Sequence, residues 1–296
     1  MKRKTKRIIS GILAVVIILG LYFAKTQFYD KQGKNPPANN NSSSYNELKV
    51  HYIDVGQGDS CFIECPNGET LLIDGGEAKY GETVSNYIAS LGYSTVDYVV
   101  ATHADADHIG GLYKVFEDFD VENCLTSFVP SKTKTYEKFC KAVEDEGIPL
   151  EKPTKNDMII DEDNFDIEVV GPDTNKSYKD TNDASVVLLI SYFDNDFLFT
   201  GDATAGVLKS YNIGDIEVLK ASHHGSRTGI SKTLANELSP EYTVISVGAK
   251  NKYNHPHKET LELLKNSKIY KTSDCGTITA ICDKDTIEFS TELEAS

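Results

Sequence analysis

From Leu48 to Ser290 the chain alternates short apolar runs with stretches of helical periodicity. Leu48–Val55, Ser60–Glu64 and Glu69–Asp74 read as three successive strands. They are separated by Gly56-Gln-Gly-Asp59 and Pro66-Asn-Gly68, which is turn chemistry and predicts an antiparallel meander. Thr83–Leu91, Ile109–Phe119 and Thr135–Glu146 have helical spacing, with strands at Tyr98–Ala101 and Cys124–Val129 between them. Further on, Ser185–Tyr192 and Asp196–Thr200 form a hairpin pattern about Phe193-Asp-Asn195. Strands at Ile216–Lys220 and Tyr242–Val247 then alternate with helices at Ala205–Tyr211, Ser231–Leu238 and Lys258–Asn266. Lys268–Lys271, Gly276–Cys282 and Asp285–Ser290 close the series as strands. Strand-rich runs with helices in both halves predict a layered α/β domain over residues 47–296, with helices outside packed sheets. No repeat of fixed period is visible.

The first 46 residues break this pattern. Ile8–Ala24 is an uncharged stretch of 17 residues, about 25 Å long as a helix and marginally able to cross a hydrocarbon core. Five cations precede it (Lys2, Arg3, Lys4, Lys6, Arg7), which orients that end to the cytoplasm and the following chain outward. Residues 1–24 are therefore expected to be an N-terminal anchor that holds the protein on the cell membrane. The same flanks fit a cleaved signal segment and a secreted product, although no convincing small-x-small cleavage site follows Phe23. Residues 25–46, with Asn-Pro-Pro-Ala-Asn-Asn-Asn-Ser-Ser-Ser, have too little apolar surface to offset chain entropy and read as a flexible linker.

Charge narrows the function classes. The chain of 296 residues has a net charge of −15, and leaving out the basic N-terminus raises the deficit to −20. Such a body does not hold long nucleic acid by broad phosphate neutralisation, although local cleavage of a phosphodiester is not excluded. Six cysteines allow many pairings, and the sequence does not choose among them.

The chemistry gathers at predicted strand ends. Tyr98-Val-Val-Ala-Thr-His-Ala-Asp-Ala-Asp-His108 sets His103, Asp105, Asp107 and His108 between a buried strand and a helix. Imidazole with carboxylate suits Zn, Mn or Fe, and small alanines between the ligands let the turn project them together. Thr200-Gly-Asp202 places a carboxylate after one strand, and Ala221-Ser-His-His-Gly-Ser226 places His223 and His224 after the next. Any one of these is an ordinary polar loop. Three converging strand ends make a metal centre the better reading.

These motifs, with Asp54-Val-Gly-Gln-Gly-Asp-Ser60, resemble the metallo-β-lactamase superfamily, and within it the hydrolase domain of ComEC-type competence proteins. The resemblance spans about Leu48 to Phe289. It implies an αββα four-layer sandwich with a metal centre at the sheet edges, most simply two divalent ions, Zn or Mn. One ion would take His103, Asp105 and a shared Asp202. The other would take Asp107, His108, Asp202 and one histidine of the 223/224 pair, with His223 the expected one. Two dications sharing a carboxylate lower the pKa of bound water, and Asp107 would orient the resulting nucleophile. The chain departs from the superfamily pattern in two places: Asp105 stands where a histidine is usual, and the region of the middle histidine reads Thr181-Asn-Asp-Ala-Ser185. Both departures count against β-lactam hydrolysis and leave the identity of the metal open.

The remaining candidates carry plainer alternatives. Asp74 matches a supporting acid of the superfamily and also fits an Asp-Gly turn. Asn182 and Asp183 fit a ligand or substrate role as well as a turn. His255 fits an active-site lining and, like Asp107, is a candidate catalytic group, while Asn254-His-Pro-His257 also suits the start of a helix. Ser226 could meet a substrate phosphate or merely close a loop. His51, alternating along a strand, reads as structural. The expected protein is a membrane-anchored, extracellular metal-dependent hydrolase of phosphoesters, of phosphodiesterase or nuclease type. Its expected partners are the membrane and a phosphoester, DNA or a cell-envelope polymer. A non-catalytic envelope-ligand binder on the same scaffold and a competence accessory acting on incoming DNA are the alternatives.

Overall fold

The computed structural model describes residues 46–178 and 180–294. The expected anchor (1–24) and nearly all of the expected linker (25–46) lie outside the described residues. Among the described residues no helix is long and apolar enough to cross a membrane.

Six strands open the first sheet: β1 (Leu48–Tyr52), β2 (Cys61–Glu64), β3 (Thr70–Ile73), β4 (Thr95–Ala101), β5 (Asp120–Thr126) and β6 (Leu150–Glu151). The second sheet follows as β7 (Asp157–Glu162), β8 (Phe165–Gly171), β9 (Val187–Tyr192), β10 (Asn195–Phe199), β11 (Val218–Lys220), β12 (Tyr242–Ile245) and β13 (Lys268–Lys271). The chain then returns to the first sheet with β14 (Ile278–Cys282) and β15 (Ile287–Thr291). The spatial orders are β15-β14-β1-β2-β3-β4-β5-β6 and β13-β12-β11-β10-β9-β8-β7. Each sheet is antiparallel on one side and parallel on the other, with β3-β4-β5-β6 and β10-β11-β12-β13 the parallel parts. The expected meander of β1, β2 and β3 and the hairpin of β9 and β10 are both present.

Side-chain alternation explains the layering. Val50, Ile63, Leu71 and Ile73 of the first sheet face Leu188, Ile190, Phe197 and Val218 of the second across one buried core. Their neighbours Phe62, Leu72 and Val99 point the other way, onto the helices α1 (Gly81–Ser90), α2 (Ala106–Ile109), α3 (Leu112–Asp118) and α4 (Lys134–Glu146). Leu198 and Leu219 likewise turn outward onto α5 (Ala205–Lys209) and α6 (Lys232–Leu238). The result is helix, sheet, sheet, helix, in which each fully buried Leu or Ile contributes about 1.5–3 kcal/mol.

Two expectations need correcting, and the cysteine pairing left open by the sequence is resolved. The single helix foreseen over Ile109–Phe119 is broken into α2 and α3 at Gly110-Gly111. A Cβ on Gly111 would lie 2.1 Å from the Gly75 carbonyl oxygen, so the chain passes too close there for any side chain. The strands β6, β7 and β8 fall in a region to which the hydropathy pattern assigned no element. The six cysteines are free thiols, five of them buried.

Candidate metal centre

The strands β1, β4, β10, β11 and β12 end at a common rim, and the candidate ligands lie in the loops and short helical turns that follow β4, β10 and β11, as is usual for ligand sites at the carboxyl ends of parallel strands. After β4 the chain delivers His103, Asp105, Asp107 and His108; after β10, Asp202; after β11, His223 and His224. At Gly201, with φ +50°, an added Cβ would lie 2.9 Å from the Ser185 side chain, so the turn into Asp202 depends on glycine. Ser185 Oγ then accepts the Asp202 amide at 3.2 Å. His223 and His224 occupy two successive left-handed positions, φ +50° and +54°. Such a conformation is costly for a residue with a Cβ, and it turns both rings toward Asp202.

The geometry centres on the buried Asp202. His108 Nε2 lies 3.2 Å from its Oδ1, while His103, His223 and His224 place Nε2 at 3.9, 3.6 and 3.9 Å from its Oδ2. Asp107 Oδ2 is 3.4 Å from His224 Nε2, and Asp105 Oδ2 is 3.8 Å from His103 Nε2. His103, His108 and Asp202 form one group of metal-ligand spacing, and Asp107, His108 and His224 form another.

A metal-binding imidazole needs one nitrogen fixed by the protein and the other left open. That is the state of three histidines here. His108 Nδ1 donates to Asp74 Oδ2 at 2.7 Å, His103 Nδ1 lies 3.1 Å from Thr102 Oγ1, and His224 Nδ1 is 3.1 Å from the Ser246 carbonyl oxygen. The opposite atoms, Nε2 of His103, His108 and His224, are buried without a hydrogen-bond partner, as is Asp202 Oδ1. Groups of this kind are costly to bury unless something completes them. Four converging orphaned atoms of N,O type fit a divalent transition metal.

Electrostatics favours cation binding. Burial works against charge on His108 and His224, yet the surrounding carboxylates prevail: Asp202 and Asp74 hold His108 well above its ordinary value, and Asp202, Asp59 and Asp107 raise His224 to about 9. Burial pulls His103 down to about 3, with the neighbouring His108 adding to the effect. Asp202 is buried too, but the charges of His108 and His224 keep it well below the carboxylate range.

The other candidates separate clearly. Asp74 is buried behind His108, accepting the Thr102 amide at 2.8 Å and the Thr102 hydroxyl at 2.7 Å. His255 stands beside the cluster, its ring centroid 5.6 Å from that of His223. Burial and the neighbouring histidines lower His255 to about 4, so it is neutral at pH 7. Of the 223/224 pair, His224 is fully enclosed and His223 keeps about a third of its side chain exposed at the mouth. Asp183 is committed elsewhere, accepting the Thr204 hydroxyl at 2.6 Å, and Asn182 lies in the same 3₁₀ turn. Ser226 Oγ is 3.0 Å from Thr228 Oγ1 and closes its own loop.

Sequence reasoning assigned no role to Asp59 and Lys220. Lys220, only 2% exposed, donates to Asp59 Oδ2 at 2.7 Å, and Asp59 Oδ1 lies 3.1 Å from His224 Nδ1. The Asp59 amide donates to the Asp107 carbonyl oxygen at 3.1 Å, and a Cβ on Gly58 would lie 2.4 Å from that same oxygen. The signal was present: a lysine inside the apolar run Val218-Leu-Lys-Ala needs a buried anion.

Comparison with known proteins agrees with this geometry. Residues 53–249 match the family described as the metallo-beta-lactamase superfamily. The chain is 30% identical over 257 residues to ComE operon protein 3 of Bacillus subtilis, covering 78% of this chain and 33% of that protein. It is 26% identical to Recombination protein 2 of Haemophilus influenzae, covering 74% of this chain and 27% of that one. It thus spans about a third or less of the curated relatives it matches. Among solved structures, the metallo-beta-lactamase fold protein YhfI from Bacillus subtilis superposes with a TM-score of 0.51 at 12% identity, covering 83% of this chain and all of that one. Strand order, loop ligands and matched residues together place the chain in the metallo-β-lactamase superfamily, with its curated similarity to ComEC-type proteins.

Proposed function

We propose that the chain is a membrane-anchored, outward-facing metal-dependent hydrolase that cleaves phosphodiesters. The observation that carries this reading is the convergence of the buried His103, His108 and His224 Nε2 atoms on Asp202 with no hydrogen-bond partner for any of the three. His103, Asp105 and Asp202 would hold one divalent ion, Zn or Mn, and Asp107, His108, Asp202 and His224 a second, with His223 at the mouth. Such ions supply Lewis acidity and a water nucleophile at neutral pH.

The chain's own groups do the rest. Asp74 fixes the His108 tautomer, and the Ser246 carbonyl fixes that of His224. Asp107, half-buried at the mouth, orients the attacking water. His255 is neutral at pH 7 and has a buried Nδ1 without a partner, which suits it to hydrogen-bond a substrate oxygen. Preference for a phosphodiester rests on the names of two relatives, Recombination protein 2 of Haemophilus influenzae and Competence protein ComA of Neisseria gonorrhoeae. The uncharged stretch 8–24 behind five cations supports the anchor and the outward orientation.

The test is a substrate panel on the full chain in detergent micelles, supplied with Mn or Zn. Release of nitrophenol from bis(p-nitrophenyl) phosphate, abolished by chelator, is expected. No release from that diester or from DNA with either metal overturns the proposal.

A further inference from the structure

The turn Gly56-Gln-Gly-Asp59 supplies none of the ligand atoms described above, yet it touches three of the loops around the centre, and the buried Asp59 is where those contacts meet. The Asp59 amide donates to the Asp107 carbonyl oxygen at 3.1 Å, and its carbonyl oxygen accepts the Gly76 amide at 2.8 Å. Its backbone is thereby fastened to the ligand loop of the first sheet. Its side chain reaches the second sheet: Lys220, the last residue of β11, donates to Oδ2 at 2.7 Å, and Oδ1 lies 3.1 Å from His224 Nδ1. The ammonium of Lys220 is held in turn by the Ala221 carbonyl oxygen at 3.2 Å. Residues beside Asp59 brace the same region. Ser60 Oγ donates to the Asp74 carbonyl oxygen at 3.1 Å, and Gln57 Oε1 accepts the Gly248 amide at 3.3 Å, just beyond the Ser246 carbonyl that faces His224.

The ring of His224 decides what this carboxylate does. Its Nδ1 has two oxygens at 3.1 Å, the Ser246 carbonyl and Asp59 Oδ1, and neither a carbonyl nor an ionised carboxylate can donate. Nδ1 therefore carries the hydrogen, and the neutral ring keeps its lone pair on Nε2, the atom that faces Asp107 and Asp202. Asp59 stands behind the ring, on the side away from those two acids. The hydrogen bond from Nδ1 goes to Ser246, and Asp59 Oδ1 has no hydrogen-bond partner of its own, so the ring is flanked by a second acceptor that stops it from turning away. An ion pair that only tied the sheets together could sit anywhere along them. This one has its free oxygen against a candidate ligand.

We propose that Asp59 is a positioning residue of the metal centre: held by Lys220, its carboxylate fixes the orientation of the His224 ring and the spacing between His224 and the Asp107 loop, so that the ligands are aligned before an ion arrives. The proposal rests on the metal-centre reading above and adds the residue that registers its two halves. Its contribution is preorganisation, since ligands already ordered by folding need not be ordered again on binding. Lys220 is part of the device because a carboxylate so deeply enclosed stays in place only beside a buried cation.

The test is the Zn affinity of the full chain in detergent micelles, read by competition with a chelating dye, with the visible spectrum of the Co-loaded protein as a second readout. Asp59→Asn keeps the size of the side chain and its backbone contacts but removes the charge. Its Zn affinity is expected to fall about 10–100-fold, with an altered Co spectrum. In a His224→Ala background the same substitution should cost almost nothing further, because the ring that Asp59 aligns is gone. Asp59→Asn combined with Lys220→Met leaves no unpaired buried charge, so its urea unfolding midpoint should stay close to that of the parent while its Zn affinity remains low. Parent-like Zn affinity and Co spectrum in Asp59→Asn overturn the proposal. So does the full loss recurring in the His224→Ala background, which is the mark of general structural damage, and so does a neutral double variant that binds Zn as the parent does. A parent chain that takes up no Zn removes the metal centre itself and the proposal with it, whereas the other outcomes leave the centre standing.

Discussion

Two buried histidine sites in this molecule differ in how their rings are completed. His51, on β1, has both nitrogens engaged: Nδ1 is 2.9 Å from the Tyr87 hydroxyl and 3.2 Å from Thr279 Oγ1, and Nε2 is 2.9 Å from Glu64 Oε1. At the sheet rim, His103, His108 and His224 each have Nδ1 engaged and Nε2 open. The first arrangement is closed and can only hold strands together. The second is half-closed, and its open halves face one carboxylate. Burial is alike at the two sites, so it does not distinguish a structural imidazole from a ligand, whereas the count of satisfied nitrogens does.

Mutations can break this contrast. The largest effect is expected for Asp202→Ala, which removes the group on which all four rim histidines converge: hydrolysis should fall by about a thousandfold or more, and metal content by mass spectrometry should drop with it. A variant that keeps both refutes the assignment of the centre. Next is Lys220→Met, which strands the Asp59 carboxylate in the interior and should cost about 3–5 kcal/mol in urea unfolding. An unchanged unfolding midpoint would mean that Asp59 is neutral or hydrated. Asp74→Asn should leave the fold intact while weakening metal affinity about 10–100-fold, as measured by competition with a chelating dye. His51→Leu should cost about 1–3 kcal/mol of stability and no metal at all. Metal loss in that variant would erase the contrast between the two sites.

The contrast also has a signature in the pH profile of chelated protein. His224 is held at about 9 against an ordinary 6.5. Its stabilising contribution is therefore complete below pH 6.5 and lost as the pH rises toward 9. Metal binding must expel that proton, so affinity should climb over the same window, and calorimetry in buffers of different ionisation enthalpy should register proton release. A flat profile across pH 6.5–9 would show that His224 is already neutral.

Much of the fold was legible because its strands are short, alternate cleanly and end in turn residues. The ligand loops were legible for a related reason: His103, Asp202 and His224 each stand just past an apolar run. Asp59 and Lys220 were harder, since each gains meaning only from the other, and they are 161 positions apart. The edge strands β6 and β7 escaped notice because Asp157-Met-Ile-Ile-Asp-Glu162 carries its acids on exposed faces and reads as a loop. β8 was readable in principle, since Phe165, Ile167 and Val169 alternate with half-buried Asp166 and Glu168. The division between α2 and α3 depends on backbone contacts of Gly111 that no periodicity encodes.

The ligand loops come from both sheets, His103 and His108 from the first, Asp202 and His224 from the second. Neither sheet has a complete set of candidate ligands, so a metal held by these residues would be bound tightly only after the two have docked. A bound ion would therefore act as a rivet between them, adding stability that grows with the logarithm of free metal concentration. Protein starved of metal would carry its loss at the sheet rim first, with the apolar layer between the sheets still closed.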